Sequence, residues 1–136
     1  METKAAVRDS QSHFVRLGGQ AAVVRLVDAF YEAMEFRPEA ATIRAMHEPD
    51  LARTRIVLAS YLTEWLGGDK VYSAERGAPM LRRRHHRFAI DTAARDAWML
   101  CMREALNKVC ADSALSLELD SSFYKVADFM RNTESS

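Results

Sequence analysis

From Gln20 to Phe36 the chain repeats its apolar side chains at three- and four-residue intervals. Val23, Val24, Leu26, Val27, Phe30 and Met34 share one side of a helical wheel. Arg25, Asp28, Glu32 and Glu35 fall mostly on the other side, so the spacing predicts an amphipathic helix that Arg37-Pro38 disfavours extending. A second periodic run holds Leu51, Leu58, Tyr61, Leu62 and Trp65; Asp50 before it is the expected N-cap, and Gly67-Gly68 the left-handed stop. Asp91 is expected to cap a third helix with Trp98, Cys101, Leu106 and Val109 inside. After a polar break at Asp112-Ser113, a fourth is predicted over 115–130, with Leu119, Phe123, Val126, Phe129 and Met130 as its apolar side. No stretch alternates with a period of two, which predicts an all-α fold, and the chain holds neither an internal repeat nor a low-complexity segment.

Between residues 69 and 90 the periodicity fails. Gly77 and Pro79 interrupt a stretch poor in aliphatic residues. A loop of about 20 residues in a compact domain is usually functional or organised around something bound. Near its end stands "LRRRHHRFAI", residues 81 to 90, with two adjacent histidines among four arginines. On its own chemistry this run reads three ways: a phosphate grip, a metal or haem ligand with an anion clamp, or a solvated corner. An imidazole can ligate a metal through one nitrogen while the other donates to a carbonyl, and arginine forks suit carboxylates such as haem propionates.

Composition narrows these readings. A chain of 136 residues suits one domain, 1–136, with residues 1–13 expected to fray. Apolar residues at 49% and charged residues at 28% are a globular balance, not that of a disordered tail. Nineteen basic and nineteen acidic residues give a formal net charge of +0, so no overall field draws the protein to nucleic acid, and any basic function must be local. No clear helix-turn-helix accompanies the arginines, and no aromatics interleave with them. Zinc is disfavoured, because no C-x-x-C or H-E-x-x-H joins the histidines. No apolar run nears the roughly 20 residues of a membrane span, and the N-terminus lacks a signal-peptide core, so a cytoplasmic protein without membrane partners is expected. Cys101 and Cys110 lie about 13 Å apart along one helix, too far to bridge, and read as small apolar groups.

Taken in order, several stretches carry a resemblance: "LGG" at 17–19, "FY" at 30–31, "IRAMHEPDL" at 43–51, "YLTEWLGG" at 61–68, "VYSAERGAPMLRRRH" at 71–85 and "RDAWMLCM" at 95–102. From about Phe14 to Met130 the sequence resembles the truncated haemoglobins of the second group. The resemblance implies haem b in a shortened globin fold, four main helices stacked two over two, with a long non-helical segment leading to the proximal histidine.

By position, His85 matches the proximal iron ligand and Phe88 an aromatic beneath the haem. Tyr31, His47 and Trp98 match the distal ligand-binding groups. Thr54, Leu58 and Leu62 fall in the haem pocket, and Arg84 and Tyr72 near the propionates. Two positions depart from the family pattern. Val57 stands where a basic residue is common, leaving Arg53 and Arg55 to replace it. His86 stands where a small or apolar residue is usual and is not assigned to iron; a solvent-facing or carbonyl-bonded imidazole is expected there. The resemblance implies binding of O₂, NO or CO, with redox chemistry on O₂, NO or peroxide that needs an external reductase. An NO dioxygenase-like or peroxidase-like activity, a simple O₂ carrier or store, a gas sensor and, more distantly, a haem-free interaction module stay open. So does the choice between monomer and homodimer.

Overall fold

A computed structural model of the chain describes residues 12–133. Helix α1 (His13–Leu17) starts where the Ser12 hydroxyl accepts the amide of Val15, so Ser12 and His13 belong to a capped helix rather than to a frayed end. The rest of that expected end, residues 1–11, lies outside the described residues. Gly18, at φ 126°, turns the chain into α2 (Gly19–Phe36) through a conformation side-chain-bearing residues rarely adopt. Pro38–Ala40 forms one 3₁₀ turn before the short α3 (Ala41–Ala45) and then α4 (Ala52–Trp65). The segment expected to be a loop contains two short helices, α5 (Val71–Arg76) and α6 (Leu81–His85); α7 (Thr92–Val109) and α8 (Ser113–Phe129) complete the fold.

Helix α2 packs most extensively on α7 and also on α4, and α7 packs in turn on α8, so two helical layers cross. Small side chains explain the closeness of α2 and α7. Ala22 and Ala33 on α2, with Cys101 and Ala105 on α7, are almost fully buried and let the two backbones approach. Around them Leu26, Phe30, Met34, Met99, Met102, Leu106, Leu115, Leu119 and Phe123 close one continuous core. Each such side chain contributes about 1.5–3 kcal/mol by leaving water. Among the described residues no helix is long and apolar enough to cross a membrane.

Several boundaries differ from the expectation for local reasons. Asp50 is not the N-cap of α4; Leu51 is, while the Asp50 carboxylate accepts the Ala52 amide two residues on and still orders the turn. Helix α8 begins at Ser113 rather than residue 115, because Asp112 caps it by accepting the Leu115 amide. Val24 and Phe129, both placed on apolar stripes, are 43% and 61% exposed. Asp91 caps α7 as expected, accepting from Ala94, and Gly67 ends α4 at φ 102°.

Candidate functional site

Helix α2 delivers Tyr31 to the inner wall, where its ring is 3% exposed and meets Phe30 edge-on at 5.0 Å. Phe30 also packs against Trp98 of α7 at 5.1 Å, and His47, just beyond α3, meets the Tyr31 ring at 5.8 Å. Three residues far apart in sequence thus line one wall, with Phe30, which sequence reasoning took for plain core, as the wedge between Tyr31 and Trp98. Among the described residues neither the Tyr31 hydroxyl nor the Trp98 indole N–H has a hydrogen-bond partner. Burial pushes the Tyr31 phenol well above its ordinary range, an effect the nearby Arg55 charge partly opposes, so the hydroxyl keeps its proton and stays a donor.

Helix α4 presents two stripes. Ala59, Leu62 and Thr63 turn into the core, whereas Thr54, Leu58, Tyr61 and Trp65 are only half-buried. Leu62, expected in the pocket, is 1% exposed within the core cluster. Leu58, Tyr61, Trp65, Ile90 and Trp98 are among the large apolar groups that pack against the core yet remain partly open. Val57 is half-buried. Of its two basic neighbours, Arg55 is drawn to Asp28 at 3.4 Å, while Arg53 is exposed without a partner among the described residues.

A second group of expected site residues lies on and just after α6. Met80 enters it at φ 49°, and the His85 Nδ1–H donates to the Leu81 carbonyl at 2.7 Å, four residues back. That bond directs the Nε2 lone pair away from the helix. Burial lowers the His85 pKa, with the charges of His47 and Arg87 pushing the same way against the Leu81 bond, a shift that favours the neutral imidazole a metal ligand needs. His47 is built alike, its Nδ1–H donating to the Ile43 carbonyl at 2.8 Å. Phe88 lies 6.4 Å from the His85 ring. Arg84 sits over the Tyr72 ring at 5.9 Å and donates to the Pro79 carbonyl at 2.7 Å, which brings that expected pair together. His86 is exposed and donates to the Arg83 carbonyl at 2.8 Å, a carbonyl-bonded imidazole.

What sequence reasoning missed is Asn132. Its side-chain amide donates to the Phe88 carbonyl at 2.8 Å and accepts the Ile90 amide at 2.9 Å, while its own backbone amide reaches the Ile90 carbonyl at 2.9 Å. This clasp fixes the chain just after His85 from more than forty residues away. Nothing in local sequence marks it.

With this geometry in hand the comparisons are decisive. The sequence pattern of the family described as Bacterial-like globin matches residues 12–132. The chain belongs to the bacterial-like globins, among the group II truncated haemoglobins. A Group II 2-on-2 hemoglobin from the plant pathogen Agrobacterium tumefaciens superposes at TM-score 0.89 with 36% identity, covering 99% of this chain and 100% of that one. The cold-adapted truncated hemoglobin of the Antarctic marine bacterium Pseudoalteromonas haloplanktis TAC125 gives 0.88 and 36%, covering 90% and 99%. Group 2 truncated hemoglobin YjbI of Bacillus subtilis is 37% identical over 91 residues, 67% of each chain.

Membership in the globins implies haem binding, and the side chains of this truncated haemoglobin suit that group. An imidazole with one ring nitrogen free stands on α6, and donors unpartnered among the described residues stand on α2 and α7. Half-buried Leu58 and Trp98 offer apolar faces, and a guanidinium held by carbonyls stands beside Tyr72.

Proposed function

We propose that this truncated haemoglobin would hold haem b through His85 and bind O₂, NO or CO on the side lined by Tyr31, His47 and Trp98, with turnover of bound O₂, NO or peroxide sustained by electrons from an external reductant. One observation carries the reading: the His85 Nδ1–H is fixed on the Leu81 carbonyl, which leaves Nε2 free, and among the described residues the Tyr31 hydroxyl and the Trp98 indole N–H have no hydrogen-bond partner. The haem iron supplies the gas-binding position and the redox chemistry. The protein supplies everything that decides how long the gas stays.

His85 keeps its Nε2 unprotonated, because the Leu81 carbonyl holds the only ring proton at Nδ1. Tyr31 and Trp98 donate to a ligand that carries partial negative charge. The indole can only donate, and the Tyr31 hydroxyl, kept protonated by burial, belongs to a ring that meets the His47 ring edge-on. Two such bonds, each contributing about 1.5–3 kcal/mol to a partly charged acceptor, slow ligand loss by roughly a hundredfold or more. So slow a release suits chemistry on the ligand better than delivery. Leu58 and Thr54 face the ligand side from α4, Phe88 supports the opposite side, and Arg84 with Tyr72 serves the propionates, a guanidinium fork matching a carboxylate. Leu62 backs Leu58 from the core.

The test is direct. Purified protein shows a haem absorption spectrum, and His85→Ala removes stoichiometric haem while circular dichroism keeps the helical signal. A five-coordinate histidine-ligated spectrum surviving in His85→Ala refutes the assignment.

A further inference from the structure

The arginines of the 76–87 stretch have no task in the reading above apart from Arg84. From residue 76 to 90 the chain carries five arginines, Arg76, Arg82, Arg83, Arg84 and Arg87, and not one Asp or Glu. The other 121 residues carry fourteen Lys and Arg against nineteen Asp and Glu, a balance of −5. A chain neutral overall is therefore strongly bipolar.

Pairing sharpens the contrast. Arg16, Arg37, Arg44, Arg55, Arg95, Arg103 and Arg131 each sit on a carboxylate within ion-pair distance. None of the five does so among the described residues. Three of them are held flat instead: Arg82 lies over Phe129 at 5.4 Å, Arg84 over Tyr72 at 5.9 Å and Arg87 over Phe88 at 4.8 Å. Stacking keeps the charge, and backbone carbonyls hold two of the forks further: Arg84 donates to Pro79 and Arg76, and Arg82 to Arg131, so these guanidinium groups are positioned in advance and lose little entropy on meeting a carboxylate with their remaining N–H groups. Among them Met80 and Phe129 are 51% and 61% exposed. Asp128, beside Phe129, is already taken by Arg95 and Arg131.

We propose that the arginine face around α6, with Met80 and Phe129 at its apolar centre, is the docking surface for an acidic one-electron donor protein. Charge complementarity selects the occupant: rows of carboxylates match fixed guanidinium forks, and the apolar spot supplies the dry centre of a small transient interface. Nucleic acid fits less well. The rings of Phe129, Tyr72 and Phe88 already carry a guanidinium on one face, so they make poor platforms for stacking bases. A membrane surface fits less well too, because the face is built from helices of five and six residues rather than one long amphipathic helix. The location gives the docking its purpose, since Arg82, Arg83 and Arg84 share a single five-residue helix with His85. That purpose rests on the reading of His85 as the iron ligand; the docking does not.

The experiment separates the two. Oxidised flavodoxin, an acidic flavin protein, is titrated calorimetrically into the purified holoprotein and into Arg82→Gln/Arg83→Gln, at about 0.05 M and about 0.3 M salt. Binding that weakens about tenfold with salt, and about tenfold again in the double variant, is expected. Arg25→Gln, which removes an exposed and equally unpaired arginine on α2, leaves it unchanged. Stopped-flow reduction by flavodoxin hydroquinone slows in the double variant, whereas reduction by a small neutral deazaflavin radical keeps its rate. Absent binding, equal weakening in Arg25→Gln, or tighter binding to duplex DNA or phosphatidylglycerol vesicles than to flavodoxin overturns the proposal. A chain that binds flavodoxin in this pattern yet holds no haem overturns only the reading of His85.

Discussion

The two walls of the candidate pocket are built by different physics. The wall carrying Tyr31 and Trp98 stands on α2 and α7, eighteen-residue helices whose facing alanines and Cys101 lock them together in the core. The wall carrying His85 stands on a five-residue helix with no buried residue of its own. It is held by hydrogen bonds: Arg84 to the Pro79 carbonyl, Asn132 to Phe88 and Ile90, and further back the Glu64 carboxylate accepting the Ser73 amide and hydroxyl at 2.9 and 2.8 Å. The first wall is rigid because it is buried. The second is positioned by a few polar contacts that can open locally while the core stays intact.

The contrast can be broken at its strong end first. Phe123 is 2% exposed and stacks between Trp65 at 4.7 Å and Trp98 at 5.8 Å, so Phe123→Ala should destabilise the whole protein by about 3–5 kcal/mol. Urea unfolding measures the loss, and a cost under about 1 kcal/mol would show that the wall behind Trp98 is not core-built. Next comes the indole donor. Trp98→Phe keeps the ring packing but removes the N–H, and O₂ dissociation measured by stopped flow should accelerate about tenfold or more; an unchanged rate sinks the hydrogen-bond assignment.

The soft wall should respond differently. Asn132→Ala removes three side-chain bonds, to His85, Phe88 and Ile90, the two short ones worth about 1 kcal/mol each, so amide exchange at 88–90 should quicken by about tenfold or more while the global transition moves little. Exchange that changes equally throughout the chain would erase the distinction between the walls. The smallest effect concerns the thiols. Burial, with Glu104 adding to it, pushes Cys101 up to about 11, whereas Cys110 is half-buried at the C-terminal end of α7. A disulfide reagent should label Cys110 in the native protein and reach Cys101 only on unfolding; labelling both at one rate would contradict the tight α2–α7 seam.

Legibility in sequence follows the same division. Helices α2 and α7 could be read because each buries a long periodic stripe, and the cap at Asp91 is marked by an acidic side chain at the turn, whereas Asp112 reads in sequence only as a polar break. Asp50 misled by one position, since its carboxylate bonds two residues ahead in a turn instead of capping in the usual register. Helices α5 and α6 escaped altogether: five or six residues make too few turns for a 3.6-residue period to register. Tyr31, His47, Trp98 and His85 were singled out by resemblance, not by spacing. Phe30 looked like any core residue, and the role of Asn132 depends on a contact with residues 88 and 90 that no local pattern encodes.

The Asn132 clasp also orders events in time. A chain emerging from the ribosome can begin to assemble α2, α4 and α7 once residue 109 is out, but the segment after His85 is fastened only when Asn132 follows. The segment that carries His85 is thus the last part of the candidate site to be secured, and if His85 holds haem, full retention of haem should lag behind collapse of the core during synthesis.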